Sequence, residues 1–318
     1  MKILITGCLG FIGFSYIKKF SNSQNIVGID FYKKSEKNKL ERLDYLKKNK
    51  IKCKIYNLNL ENKYNFKKIK ERNFDLIIHL AAKPGVFESE ANPDIYVKKN
   101  LLMLTNVLQF TKNKKVKFFY FASSSSVYGG KNFNENNASV DPTSIYGLTK
   151  KLGEELINYF AHTYKIKCIC LRFFTVYGPF GRPDMSYFKF LDLLNNKKPI
   201  QVYNNGKNKR PFTYVDDLVN IIYKLSKKNI RIKIFKTKNF DILNIGADKY
   251  YSVNDMLSIL QKLDTKINFK IKYLKLLTVD PVKTEAKCKK LFKFIGPYKF
   301  INLHDGLSKF YDWYKTRN

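Results

Sequence analysis

In the first half of the chain, short apolar runs alternate with longer segments in which apolar residues recur every three or four positions. The short runs predict strands buried on both faces, and the longer segments predict helices that cover a sheet with one face. Alternation of this kind predicts an α/β fold with a doubly wound parallel sheet. The predicted strands are 2–6, 25–29, 53–56, 75–80, 116–122 and 168–173, and the predicted helices are 11–20, 93–110 and 146–164.

Beyond residue 174 the alternation becomes less regular. A turn-rich segment occupies 177–182, and the lysine-rich stretch 224–238 is predicted to be an exposed connection. We therefore predict a first domain over 1–174, to which part of 212–245 returns, and a smaller α/β domain formed mainly by 175–318. The helices predicted in this half are 186–194, 215–225, 253–263 and 305–314.

Composition narrows the class of protein. The 318-residue chain is 44% hydrophobic and 15% aromatic, which is enough for a sizeable core and argues against a disordered chain. Because no apolar run approaches the roughly 18 residues of a membrane span and the first strand already begins at Lys2, we expect neither a membrane partner nor a signal peptide. The five cysteines are scattered and odd in number, which favours a reducing cytoplasm. His162 and His304 have no cysteine at a metal-ligand spacing, so we expect no metal site.

The charge balance is strongly basic, with 60 Lys and Arg against 26 Asp and Glu and a formal net charge of +34. Such an excess is one mark of a nucleic-acid-binding protein, which is the alternative from a different functional class. The lysines, however, are spread along the whole chain with many asparagines and form no single block. A positive field attracts an anionic small substrate equally well. We therefore expect no nucleic-acid partner.

The clearest chemical signal follows the first predicted strand. Gly7, Gly10 and Gly13 form a GxxGxxG pattern between that strand and the first predicted helix. Glycines there allow a tight turn and let backbone N–H groups at a helix N-terminus approach a pyrophosphate, as in a Rossmann-type dinucleotide-binding fold. Asp30 ends the next strand, where a carboxylate accepts both ribose hydroxyls and repels a 2′-phosphate. The expected cofactor is NAD, with NADP left open by two nearby lysines.

A second set of reactive side chains follows two later elements. Tyr146 and Lys150 are four residues apart and share one face of a predicted helix, and a nearby ammonium lowers the pKa of a tyrosine. A run of four serines, from Ser123 to Ser126, follows the strand at 116–122. Ligands bind at the carboxyl ends of strands in such sheets. A serine, the tyrosine and the lysine can therefore form a proton relay beside a nicotinamide.

These patterns resemble those of the extended short-chain dehydrogenases/reductases, in particular the nucleotide-sugar epimerase/dehydratase group. The resemblance covers nearly the whole chain, and the segments 173–185 and 206–213 are most similar to the UDP-glucuronate 4-epimerases of that group. The segments that carry it are GCLGFIG at 7–13, HLAA at 79–82, Asn100, SSSSVYG at 123–129, YGLTK at 146–150, LRFFTVYGP at 171–179 and RPFTYVDD at 210–217.

The resemblance implies an NAD-dependent isomerase in which C4 of a UDP-sugar is oxidised and then reduced from the other face. It implies that Tyr146 is the catalytic base, that Ser124 hydrogen-bonds the oxygen at C4, and that Lys150 holds the nicotinamide ribose. The implied NAD contacts are Gly7, Gly10, Phe11, Ile12, Gly13, Asp30, Asn59, Leu60, Leu80, Ala81, Ala82, Asn100, Tyr146, Lys150, Phe173 and Val176.

The substrate implied by the resemblance is UDP-glucuronate, converted to UDP-galacturonate for polysaccharide biosynthesis. Arg182 and Thr175 match the carboxylate-binding positions of the resembled enzymes, and Arg210 matches their pyrophosphate-contacting arginine. A homodimer formed through helices 93–110 and 146–164 is implied as well. The implied substrate contacts are Val86, Ser123, Ser124, Ser125, Tyr146, Thr175, Arg182, Met185, Val202 and Arg210.

Two other reactions through the same 4-keto intermediate stay open, namely 4-epimerisation of a neutral UDP-sugar and decarboxylation of UDP-glucuronate. Dehydration is disfavoured, because Ser125 and Ser126 stand where the related 4,6-dehydratases carry an Asp-Glu pair. The chain departs from the resembled epimerases at Phe87, where arginine is usual, and at Asn59 and Pro211, where aspartate is common. Phe87 bears most on the choice of sugar, because it lies near the expected sugar site.

Overall fold

We describe the fold from a computed structural model of the chain, which covers residues 1–136, 140–275 and 281–317. Seven strands form one parallel sheet. In chain order, β1 to β7 are Lys2–Thr6, Asn25–Asp30, Lys54–Asn57, Leu76–His79, Phe118–Ser124, Lys167–Phe173 and Phe240–Ile245. Their order across the sheet is β7-β6-β5-β4-β1-β2-β3.

Helices cover both faces of this sheet. Along β1, Ile3 and Ile5 enter one apolar core and Leu4 enters the other, because successive side chains of a strand point to opposite faces. The predicted Rossmann-type doubly wound α/β fold is therefore confirmed. The α-helices are Phe11–Phe20, Lys37–Lys48, Val86–Ala91, Pro93–Val97, Met103–Asn113, Ile145–Thr163, Ser186–Asn195, Val215–Leu225, Lys228–Ile234, Val253–Leu263, Lys289–Ile295 and Leu303–Arg317.

The second half of the chain forms a further core that is rich in aromatic side chains. Tyr187, Phe188 and Phe310 lie at its centre. Three small two-stranded sheets join its segments, while β7 returns to the large sheet and pairs with β6. Their strand pairs are Val176–Tyr177 with Thr213–Tyr214, Ile200–Tyr203 with Ile271–Leu274, and Lys209–Arg210 with Tyr251–Ser252. The division of the chain into two domains stays a prediction.

Some sequence expectations differ from the structure. The helix predicted over 93–110 is interrupted by a π-helical turn, Lys98–Leu102, and the sequence did not predict the helices Lys37–Lys48, Val86–Ala91 and Lys289–Ile295. The prediction of an exposed connection at 224–238 is wrong in part, because a helix there buries Ile234 and Phe235. Its lysine content concealed the few apolar positions that pack inward. In the described ranges, no helix is both long and apolar enough to cross a membrane.

A buried ion pair joins the helix Ile145–Thr163 to β6. The Arg172 guanidinium donates from Nε and Nη2 to the two carboxylate oxygens of Glu154, at 2.9 and 2.7 Å. Both side chains are almost fully buried. We expect Glu154→Gln to lower the free energy of unfolding by roughly 3–5 kcal/mol, because Arg172 keeps a buried charge without its counter-ion.

Urea unfolding of the two purified proteins measures this loss. Glu155→Gln is the matched control, because Glu155 is the next residue of the same helix and its side chain is exposed. Equal stability of the two variants would show that the buried pair contributes nothing beyond what a neutral amide supplies.

Candidate active site

The glycine-rich turn after β1 packs against the loop after β4. Gly7 has a φ of +70°, and a Cβ at that position would lie 2.7 Å from the backbone nitrogen of Ala81. A Cβ on Gly13 would likewise collide with the carbonyl of Gly7. Glycine is required here because the backbone takes a left-handed conformation and two loops approach closely. The two loops therefore pack closely at the carboxyl edge of the sheet.

The helix Phe11–Phe20 begins directly at this turn and presents an uncapped N-terminus. Its N-cap is Gly10, which provides no side-chain cap, and its first turn holds no acidic residue. The first N–H groups of a helix have no intrahelical acceptor, and they carry the positive end of the helix dipole. The N–H groups at Phe11 and Ile12 therefore suit a pyrophosphate, which is what NAD would place there.

Asp30 lies at the end of β2, beside the same turn. Its Oδ2 accepts a hydrogen bond from the backbone N–H of Leu9 at 2.8 Å, so the carboxylate fixes the glycine-rich loop. Its Oδ1 lies 3.1 Å from the ammonium of Lys39, an ion pair that the sequence did not indicate. The contact between Asp30 and a ribose stays a prediction.

Asn100 is held on the π-helical turn, Lys98–Leu102, where a wider turn re-aims its side chain into the protein. Its amide oxygen accepts from the N–H of Lys83 at 2.8 Å, and its amide nitrogen donates to the carbonyl of Lys83 and to the hydroxyl of Thr149. Asn100 therefore ties the loop after β4 to the helix that carries Tyr146. The other predicted cofactor residues follow the ends of β3, β4 and β6: Asn59, Leu60, Leu80, Ala81, Ala82, Phe173 and Val176.

Tyr146 lies in the first turn of the helix Ile145–Thr163. Ser144 caps this helix by accepting from the N–H of Gly147, and the N–H of Tyr146 itself donates to the Ser89 hydroxyl at 3.1 Å. The preceding N–H, of Ile145, donates to the carboxylate of Glu90. These side chains satisfy the first N–H groups of the helix and fix the backbone at Tyr146. No sequence motif indicated the roles of the Ser89 and Glu90 side chains.

The electrostatics of Tyr146 differ in part from the sequence expectation. Burial raises the pKa of Tyr146, while the Ser124 hydroxyl and the Arg182 guanidinium act to lower it. The ammonium of Lys150 lies 5.9 Å from the centre of the tyrosine ring and donates to the carbonyl of Ala122 at 2.8 Å. Burial lowers the pKa of Lys150 to about 7. The groups that counteract the effect of burial on the pKa of Tyr146 are thus Ser124 and Arg182, and not Lys150.

The structure does not bring every predicted substrate residue into the cleft. Ser123 is buried and donates its hydroxyl to the Glu154 carboxylate at 2.5 Å, because it points to the opposite face of β5 from Ser124. Its hydroxyl is therefore not free for a substrate carboxylate. Val202 is also buried, within the aromatic core of the second half.

The other predicted substrate residues lie around the carboxyl edge of the sheet and the loops facing it. Ser125 begins the short 3₁₀ turn after β5, and Thr175 follows β6, where its carbonyl accepts from the N–H of Thr213. Val86 opens the helix after β4, Met185 precedes the helix Ser186–Asn195, and Arg210 lies on a short strand of the second half.

Arg182 stands in the loop between β6 and the helix Ser186–Asn195. Its guanidinium donates to the two carboxylate oxygens of Asp184, from Nε at 3.0 Å and from Nη2 at 2.5 Å. A Cβ on Gly85 would lie 4.0 Å from Nη2, so the tip of Arg182 approaches the loop after β4. The same Cβ would lie 3.0 Å from the hydroxyl of Tyr96, whose ring is 6.3 Å from that of Tyr146. Arg182 and Tyr146 therefore face the same space.

Arg42 is a residue that sequence reasoning missed. It is buried, and its guanidinium donates to the carbonyl of Leu9 at 2.8 Å and to the carbonyls of Phe180 and Gly181 at 2.8 and 3.3 Å. It therefore connects the glycine-rich turn with the loop that carries Arg182. Nothing in the local sequence distinguishes Arg42 from the other basic residues of its helix.

Phe87, the departure that bears on the choice of sugar, has a half-exposed side chain. Its ring lies 6.4 Å from the ring of Tyr203, which belongs to the second half of the chain. No group of three or more His, Cys, Asp and Glu side chains suited to hold a metal occurs in the described part of the chain.

A parallel sheet with a glycine-rich turn and a Tyr–Lys pair at its carboxyl edge defines a dinucleotide-dependent enzyme of the short-chain dehydrogenase/reductase type. Comparison with known proteins identifies the group more narrowly. The model of the NAD dependent epimerase/dehydratase family matches residues 3–246, and the chain belongs to this family. The predicted family and the dependence on NAD are confirmed.

Two named relatives and one solved structure match this chain over almost their whole length. The chain is 34% identical to the UDP-glucuronate 4-epimerase of Thermodesulfobacterium geofontis, with 98% of this chain and 95% of that protein covered. It is 32% identical to a probable UDP-glucuronate 4-epimerase of Rhizobium meliloti, with 99% and 97% covered. The crystal structure of UDP-glucuronic acid 4-epimerase from Bacillus cereus, in complex with UDP-glucuronic acid and NAD, superimposes with a TM-score of 0.87 at 29% identity, with both chains fully covered.

Proposed function

We propose that this protein catalyses the NAD-dependent 4-epimerisation of UDP-glucuronate to UDP-galacturonate. The observation that carries the proposal is the position of Arg182, whose guanidinium faces the space beside Tyr146. A sugar with its C4 oxygen at Tyr146 would place a carboxylate at C6 within reach of that arginine. The named relatives, which are UDP-glucuronate 4-epimerases, support the same substrate.

The side chains present suit each proton transfer. NAD, when bound, supplies the hydride chemistry at C4. Tyr146, as phenolate, takes the proton of the C4 hydroxyl and later returns a proton to the oxygen at C4. Ser124 would donate a hydrogen bond to that oxygen, and Lys150 would hold the cofactor ribose. Because the proton and the hydride are both returned to the sugar, Tyr146 ends in its first protonation state and no second substrate is consumed.

Holding the carboxylate protects the intermediate. Once C4 is a ketone, the uronate is a β-keto acid, and it loses CO₂ when the C5–C6 bond aligns with the carbonyl π-system. Arg182, with its fork of donors, and Thr175 would hold the carboxylate away from that alignment, with Ser125 as a further donor. This arrangement favours epimerisation over decarboxylation.

The proposal also assigns the binding of each ligand to a part of the chain. Residues 1–174 together with β7 would bind NAD, and residues 175–318 would mainly bind the nucleotide sugar, with Arg210 on its pyrophosphate. The chain would act in the cytoplasm and supply uronic acids for polysaccharide biosynthesis.

A homodimer is proposed on the exposed apolar surface of two helical segments. Large apolar side chains stand in solvent on the segment 93–113 and on the helix Ile145–Thr163. Such a surface is typical of an interface between subunits. Light scattering at the assay concentration tests this expectation. The side chains are Val97, Leu102, Leu148, Leu152 and Tyr159.

Ser124 is expected to set the pH dependence of the reaction. Its hydroxyl acts to lower the pKa of Tyr146, so Ser124→Ala raises that pKa and a higher pH is needed to form the phenolate. We expect the rising limb of kcat against pH to move to higher pH, with a lower maximum. Ser124→Thr keeps a hydroxyl and is expected to restore the profile. An unshifted limb in Ser124→Ala would show that this hydroxyl does not act on the base.

The activity itself is tested by incubating the NAD-loaded protein with UDP-glucuronate and, separately, with UDP-galacturonate, and by following both by NMR. The proposal predicts the same final ratio of the two sugars from either direction. Formation of a UDP-pentose would identify a decarboxylase. Turnover of UDP-glucose in place of both uronates would identify an epimerase of neutral sugars.

A further inference from the structure

The guanidinium of Arg182 has two edges that can each grip a carboxylate, and Asp184 occupies one of them. The side edge, Nε with Nη2, donates to the two oxygens of Asp184 at 3.0 and 2.5 Å. The end edge, Nη1 with the second hydrogen of Nη2, lies outside this ion pair. A second carboxylate can therefore bind Arg182 without displacing Asp184.

The guanidinium of Arg182 lies near Tyr146, whose pKa it acts to lower, and its Nη2 belongs to both edges. Nη2 lies 4.0 Å from the Cβ position of Gly85, which precedes the helix Val86–Ala91. Tyr96 adjoins the same glycine, and its ring packs edge-on against that of Tyr146. The Asp184 side chain, which occupies the side edge, is largely exposed to solvent.

The backbone that carries Arg182 is fixed on both sides. Arg42 holds the carbonyls of Phe180 and Gly181, and the Phe180 ring packs between Phe14 and Trp313. On the other side, the carbonyl of Arg182 accepts from the N–H of Met185. The rotamers of the long Arg182 side chain are therefore the freedom that remains, and Asp184 restricts them.

We propose that Asp184 is a positioning residue that selects for a carboxylate-bearing sugar. By gripping the side edge of Arg182, it holds the end edge in the orientation that receives a carboxylate beside Tyr146. The pair also limits stray hydrogen bonds to a neutral sugar, because the guanidinium is not free to swing toward a hydroxymethyl group. This inference rests on the proposed function, and it adds a residue that does not touch the sugar.

Asp184→Asn tests the proposal, because it keeps the shape of the side chain and removes its charge at an exposed position. The dissociation constants of UDP-glucuronate, UDP-glucose and UDP are measured by calorimetry on the NAD-loaded wild type and variant, together with kcat and KM for UDP-glucuronate. Asp312→Asn is the matched control, because Asp312 is an exposed aspartate that pairs with Lys315 on the last helix.

We expect Asp184→Asn to weaken UDP-glucuronate binding and raise its KM by about tenfold, because Arg182 loses its fixed orientation. The affinities for UDP and UDP-glucose are expected to stay within about twofold of wild type, and kcat is expected to change less than KM. An equal fall in the affinities for UDP-glucuronate, UDP and UDP-glucose would show that the variant disturbs the fold as a whole. That result would overturn the proposal.

Unchanged or tighter binding of UDP-glucuronate by Asp184→Asn would also overturn it, and tighter binding would show that Asp184 competes with the substrate for Arg182. The proposed function is decided separately by turnover in the wild type. If the wild type binds UDP-glucuronate but does not epimerise it, the function fails, while the ratio of affinities still decides the role of Asp184. If the wild type does not favour UDP-glucuronate over UDP-glucose, the proposed function and the proposed role of Asp184 both fail.

Discussion

Replacing Tyr146 with phenylalanine is expected to lower kcat for 4-epimerisation by about 10²–10⁴-fold, the usual contribution of a positioned acid–base group. The ring remains, so its packing against Tyr96 is kept, but no phenolate can form to take the proton of the C4 hydroxyl. The affinity for UDP-glucuronate and the amount of bound NAD are expected to change little. Initial rates, calorimetry and the absorbance of released cofactor measure the three quantities.

Tyr159→Phe is the matched control for this substitution. Tyr159 lies on the same helix, roughly 20 Å from Tyr146 along its axis, so its hydroxyl has no part in the reaction and full activity is expected. The substitution also keeps the ring that the proposed dimer surface uses. A Tyr146→Phe protein that retained wild-type kcat would remove Tyr146 from the chemistry and leave the site without its base.

Replacing Arg182 with alanine is expected to lower kcat/KM for UDP-glucuronate by about 100-fold or more, as is usual when one partner of a hydrogen-bonded charge pair is truncated. The freed carboxylate of the intermediate can then align with the ketone, so a larger share of turnover is expected to give a UDP-pentose and CO₂. NMR of the product mixture measures both changes.

Ligands without a carboxylate are the control for Arg182→Ala. UDP and UDP-glucose carry no carboxylate, so their affinities are expected to stay close to those of the wild type. An equal loss of affinity for all of these ligands would indicate that the substitution disturbs the loop that carries Arg182. Unchanged turnover of UDP-glucuronate would contradict the assignment of Arg182 as the carboxylate-binding residue.

Much of the fold could be predicted because its signals are local. The first strand has an apolar centre at 3–5, and the glycines at 7, 10 and 13 meet a backbone that requires them, as the φ of Gly7 shows. Tyr146 and Lys150 share a helix face by spacing alone. These elements could be placed without knowledge of any distant contact.

The parts that could not be predicted depend on contacts between distant segments. Ser89 and Arg42 act through hydrogen bonds to residues far away in the sequence, so no motif marks them. The orientation of Ser123 required the exact end of β5, because a shift of one residue moves a side chain to the other face of a strand. The π-helical turn around Asn100 is likewise a local exception within an otherwise regular helical pattern.

The most direct test of the account uses UDP-glucuronate that carries deuterium at C4, incubated with the NAD-loaded protein in ordinary water. If C4 is oxidised and reduced by one cofactor that stays in place, NMR will show UDP-galacturonate that keeps its deuterium at C4 and its carboxylate at C6. A UDP-pentose, or a 4-epimer with solvent hydrogen at C4, would contradict the proposed reaction.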